Sequence, residues 1–117
     1  MTVTPTQTNP WGAAFGCDMS IISWLALGNA EAGLPILGVG WSDRSIAFEG
    51  TFGGATVVLE GSNDGTNYHT LSSPDGVAIS YTAATLKEVL EICAYIRPRT
   101  SGGAGTSINA YLVAVRH

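Results

Sequence analysis

The chain has 117 residues and a mass of 12.1 kDa, enough for one domain with a real core and too little for two. Only 12% of its residues are charged, against roughly 25% in an average soluble domain, and its net charge is −4. With no Lys or Arg before Arg44, it lacks the clustered cations that nucleic acid demands and the basic start of a secretory signal; its longest apolar run, "MSIISWLAL", is about half of what spans a bilayer.

Fifteen glycines and five prolines, with many Ser and Thr, separate short β-branched runs. That composition predicts an all-β fold, a small antiparallel β-sandwich of jelly-roll type. Residues 1–16, "MTVTPTQTNPWGAAFG", carry Pro5 and Pro10 and show no alternation, so they read as an extended arm. Trp11 and Phe15 are its expected anchors on a partner, and the arm is expected to order only against one. Residues 17–117 form the single sandwich domain.

Ser20 to Leu27 reads as a strand, broken by "GNAEAGLP" and followed by the glycine-rich link "ILGVGWSD". In "RSIAFEGTFGGATVVLEG", Gly53-Gly54 separates two alternating runs, the signature of a two-residue hairpin. That hairpin pairs Phe48 with Leu59 and Ile46 with Gly61. It sends Ile46, Phe48, Val57 and Leu59 to the core, and Ala47, Glu49, Thr51, Thr56, Val58 and Glu60 outward.

The polar cluster Asn63-Asp64-Gly65-Thr66-Asn67 suits a type I turn closed by a glycine at positive φ. A three-residue or a five-residue loop brings Leu71 to the core, level with Val57 or Leu59. Either leaves Tyr68 outward, beside Glu60 or Ser62. "SSPDGVA" turns the chain into the strand "VAISYT", and Leu86, Val89, Leu90 and Cys93 fit a single helical turn. "AYIRPR" and "SINAYLVAVR" read as a strand pair joined by "TSGGAGT", with Pro98 placing the first at an edge or ending it in a bulge. Tyr95 and Leu112 are expected on one face of this pair, and Ile96, Tyr111 and Val113 on the other.

Chemistry finds little purchase. The cluster at 63–67 has one carboxylate among amides and no glutamate at the distance a calcium loop requires. Glu49 and Glu60 share the outer face of the expected hairpin and read as solvated strand residues rather than a glycosidase pair. His69 has no nucleophile arranged beside it, and "GGAGT" lacks the lysine and helix of a phosphate loop. Cys17 and Cys93 read as small buried side chains, with a disulfide as the alternative. The expectation is a protein that is not an enzyme and holds neither metal nor cofactor.

Taken together, "WLALGNAEAGLPI", "DRSIAFEGTFGGATVVLEGSNDGTNYHTL", "TAATLKEVLE" and "YIRPRTSGGAGTS" resemble a group of small virion proteins encoded by tailed bacteriophages. The resemblance covers residues 23 to 115, and its most specific part is the Asp-Arg-Ser strand, glycine pair and Gly-Ser-Asn-Asp-Gly turn in that order. The group usually has Trp where this chain has Tyr68, and Asn-Gly-Asp where it has Asn29-Ala30-Glu31. The resemblance implies a structural virion protein, found in the phage particle and assembled in the bacterial cytoplasm. Our own weighting favours a capsid decoration or cement protein binding across neighbouring capsid subunits. Its partners would be the major capsid protein and itself, as a dimer or trimer, without nucleic acid or membrane. Contacts would come from Trp11, Phe15, Tyr68, Tyr95 and Tyr111. A shorter resemblance, of "EGSNDGTNYHTL" to discoidin-like carbohydrate-binding domains, supports the alternative of a tail-associated or sugar-binding module with Tyr68 as its platform. Low charge with positive mean hydropathy favours burial against protein.

Overall fold

The computed structural model describes residues 2–8, 18–37 and 43–116. Alternating runs put every second side chain on one face of a strand, and two such faces bury each other by stacking. The chain does this with two sheets. The first, of seven strands, is built from β1 (Thr2–Val3), β4 (Ala32–Gly33), β5 (Ile36–Leu37), β7 (Thr56–Ser62), β8 (His69–Thr70), β9 (Ser80–Tyr81) and β11 (Tyr95–Ser101). The second has five strands in the order β10 (Thr85–Glu88), β6 (Asp43–Thr51), β12 (Ser107–Arg116), β3 (Asp18–Leu27) and β2 (Thr6–Thr8). Apart from the parallel pair β1–β4, the strands pair antiparallel. The fold is an all-β sandwich.

Between the sheets lie Ile22, Trp24, Leu27, Ile46, Phe48, Ile108 and Leu112 from one side, and Val57, Leu59, Leu71, Ile79 and Ile96 from the other, all buried. The Trp24 indole N–H, which burial would otherwise leave unsatisfied, donates to the Leu34 carbonyl at 2.9 Å.

The expected faces of the 46–59 stretch hold, but the expected pairing does not. Ile46, Phe48, Val57 and Leu59 are all fully buried. Yet β6 pairs with β10 and β12, whereas β7 pairs with β11, β8 and β9. Gly53-Gly54 is therefore an arch from one sheet to the other, and Phe48 and Leu59 enter the core from opposite sheets. The same correction applies to the last two strands: β11 lies in the seven-stranded sheet and β12 in the five-stranded one. Ile96 and Leu112 consequently both point inward, while Tyr95, Tyr111 and Val113 point outward from opposite faces of the molecule. The two arches meet at one end, where the Ala104 amide donates to Gly53 O at 3.0 Å and the Thr106 hydroxyl to Phe52 O at 2.9 Å.

Pro98 is not at a sheet edge. It sits opposite Leu59 on one side, at the place where the other side of β11 passes from β5, paired at Tyr95 and Ile96, to β4, paired at Arg99. The gap spares a residue without an N–H from interrupting a ladder. Residues 85–93 form no helical turn. Thr85–Glu88 is a strand along β6, and the Val89 and Leu90 amides then donate to Arg44 O and Ser72 O. The arm is expected to order only against a partner, but its described part orders against the domain itself, β1 pairing with β4 and β2 with β3. Trp11, Phe15 and Cys17 lie outside the described residues.

Among the described residues every strand at an outer margin is short: two residues in β1, β5, β8 and β9, three in β2, four in β10. Short margins resist the addition of a foreign strand.

Candidate interaction surface

The loop after β7 is a turn that closes on itself. The pairs Glu60–Thr70 and Gly61–His69 set its register, which puts Leu71 opposite Leu59 and Tyr68 opposite Ser62, the five-residue arrangement. Asp64 Oδ1 accepts from the Ser62 hydroxyl and from the amides of Thr66 and Asn67, each at 2.8 Å, and Oδ2 accepts from the Asn67 side chain at 2.7 Å. Those bonds, led by the Asn67 and Thr66 amides, hold the Asp64 carboxyl well below the usual carboxylate range. Ser62 Oγ in turn accepts from the amides of Asp64 and Gly65. Both oxygens of the carboxylate are thus spent on the loop's own donors, which is the work of an Asx turn.

On the outer face of the seven-stranded sheet, Glu60 is only 6% exposed rather than solvated. Its two oxygens accept from Arg97 Nε at 3.1 Å and Arg99 Nε at 3.0 Å. The Arg97 guanidinium also lies 3.8 Å from the centre of the Tyr68 ring. One face of the aromatic that sequence leaves open for a ligand is therefore occupied by the protein itself. Tyr95 flanks this cluster, close enough that a side chain at Gly65 would come within 3.3 Å of its ring.

At one end of the core, Arg44 is 3% exposed, its Nη2 donates to the Glu91 carbonyl, and its Nε and Nη1 make no hydrogen bond. Glu91 accepts from the Ser72 amide and hydroxyl; burial works against its charge, but these bonds prevail and lower its pKa. Cys93, half-buried and a free thiol, has its pKa raised by burial, with Arg44 opposing. Among the described residues no three His, Cys, Asp or Glu side chains are grouped so as to hold a metal ion.

The outer face of the five-stranded sheet has another character. Two rows of side chains cross all five strands: Leu86, Ala47, Tyr111, Ser23, Thr6, and beside it Glu88, Ser45, Val113, Ile21, Thr8. Leu86 is 68% exposed, and the three central strands carry half-buried apolar side chains at the middle of the face. The face's carboxylates, Asp43, Glu49 and Glu88, all stand on β6 and β10.

Of the residues expected to contact partners, Tyr68 and Tyr95 lie together on the seven-stranded sheet, and Tyr111 lies on the opposite side of the molecule. They do not form one site. Sequence reading missed the Glu60–Arg97–Arg99 cluster, because its residues are 37 and 39 positions apart and only the β7–β11 pairing joins them. The Arg-Pro-Arg spacing was the available signal, since it sends both guanidinium groups to one face of a strand.

No protein-family model matches this chain, and no curated protein matches its sequence. Among solved structures, the fold is similar to that of YomS, an SPBc2 prophage-derived protein, with a TM-score of 0.65 and 10% identity over 83% of this chain and 94% of that one.

Proposed function

We propose that this protein is a structural component of a tailed-phage particle, a decoration or cement protein that binds across neighbouring capsid subunits. The observation that carries the reading is how its surface is spent. Asp64, Glu60 and Glu91 have their oxygens committed to holding the fold, while apolar side chains of β12 and β3 face outward at the centre of a broad sheet. A surface of that kind favours burial against protein over turnover of a small substrate. The likeness in fold to a prophage-derived protein and the resemblance in sequence to small phage virion proteins point the same way. The major capsid protein is the partner this reading names, and the particle in the host cytoplasm is its place of assembly.

The sugar-binding alternative draws less support, since Arg97 covers one face of Tyr68, the ring it would use as a platform. Quantitative mass spectrometry of purified virions tests the proposal. Hundreds of copies per particle are expected; a few copies would move the protein to the tail, and none would overturn the reading.

A further inference from the structure

We propose that the outer face of the five-stranded sheet is a self-docking surface, on which two copies of this chain pack face to face about a two-fold axis along β12. The inference stands on the arrangement of this face alone: the proposed function takes the face only as a sign of a surface built for burial against protein, and a second copy is the protein assigned to it here.

Three features lead to it. The strands at the sheet margins are short, which disfavours strand addition and favours association through a face. The opposite sheet face is occupied by its own ion pairs and by the loop that carries Tyr68. On the five-stranded face, polarity is divided by strand: carboxylates stand on β6 and β10, whereas β3 and β2 present Ile21, Ser23, Thr6 and Thr8 without a charge.

That division selects a second copy as the occupant and fixes its orientation. β12 is the middle strand of the five. A two-fold along it lays the acidic half of each copy over the hydroxyl-bearing half of the other. Tyr111 and Val113 then meet their own counterparts on the axis, Ala47 faces the partner's Ser23, and Glu88 faces the partner's Thr8, a residue without charge. A two-fold across the strands would instead set β6 and β10 on their own copies and bring carboxylates together. Isologous contacts of this kind are the commonest route to a closed dimer. Strand spacing and rise give the face roughly 500 Å² before side-chain relief. This approaches the low end of specific interfaces, about 600 Å² per partner. The dimer should accordingly be modest in affinity and depend on concentration.

Sedimentation equilibrium of the full chain tests this between about 5 and 500 µM, a range that brackets modest dimers. The mass is expected to rise from 12.1 kDa toward twice that value. Val113→Glu, which sets two carboxylates face to face on the axis, should weaken dimerisation at least tenfold while the thermal melt stays cooperative. Should that variant fold poorly, Ser45→Glu, facing the partner's Ile21, tests the same contact. Thr8→Lys should tighten the dimer at low salt by pairing with the partner's Glu88, and Thr8→Glu should loosen it. A single-chain mass across the whole range would overturn the proposal. So would a dimer indifferent to both acidic substitutions, or one that Thr8→Lys and Thr8→Glu shift in the same direction.

Discussion

Ala30 is held at φ +44°, in the left-handed region that costs a side chain roughly 1–2 kcal/mol. It occupies the middle of Asn29-Ala30-Glu31, a position where glycine would carry no such cost. The strain persists because both neighbours are tied down. Asn29 Oδ1 accepts from the Thr106 amide at 3.1 Å, and the Glu31 amide donates to the Thr100 hydroxyl at 2.8 Å. Ala30→Gly is expected to stabilise the protein by about 0.5–1 kcal/mol, after the greater freedom of glycine in the unfolded chain is subtracted, and urea titration reads this directly. Asp64 provides a second test. Its pKa is depressed in the fold, so its contribution is fully present above the unfolded value of 3.8 and is lost only as pH falls below that toward the folded value. Amide exchange at Thr66 and Asn67 should therefore stay protected from pH 7 down to about pH 4 and open at lower pH. In Asp64→Ala the same amides should be open throughout.

The arch at Gly53-Gly54 explains how much of the fold could be read in advance. Alternation fixes which face a residue takes, and it correctly sends Ile46, Phe48, Val57 and Leu59 inward. It says nothing about which strands pair, because a hairpin and an arch with the same parity bury the same side chains. What separates the two is a long-range fact, the insertion of β12 beside β6 and of β11 beside β7, and no local pattern encodes it. The 63–67 turn was legible for the opposite reason: its hydrogen bonds lie within six residues, from Ser62 to Asn67. Residues 85–93 are ambiguous in sequence because apolar spacing compatible with a helical turn is equally met by a strand over Thr85–Glu88 and an irregular continuation, with Leu86, Leu90 and Ile92 pointing to solvent. Core burial itself makes a firm prediction. Phe48→Ala should cost roughly 3–5 kcal/mol, seen as a lower denaturation midpoint with unchanged slope. A loss below about 1 kcal/mol would mean that the sheets close over the vacated space.

The first strands join both layers, since β1 extends the seven-stranded sheet and β2 the five-stranded one. Deleting residues 1–8 is accordingly expected to lower the melting temperature by several degrees, as loss of about 1–2 kcal/mol would in a domain this size. An unchanged melt would show that these strands add nothing to the lone domain. The candidate surface was legible only in part. Outward Tyr111 and Val113 follow from parity, but their isolation from Tyr95 depends on β11 and β12 belonging to different sheets. The two arches also govern how the chain comes to be folded. Neither β6 with β7 nor β11 with β12 forms a hairpin, and β6 emerges from the ribosome long before β12, its principal neighbour, exists. Loop closure must come before any of these contacts can stabilise the chain, and folding dominated by such distant pairings runs in milliseconds to seconds. During that interval the unpaired backbone edge of β6 and its apolar inner face, Ile46 and Phe48, are open to any other nascent chain. A weakly charged chain is thus at greatest risk of misassembly during its synthesis, before its own sheets have closed.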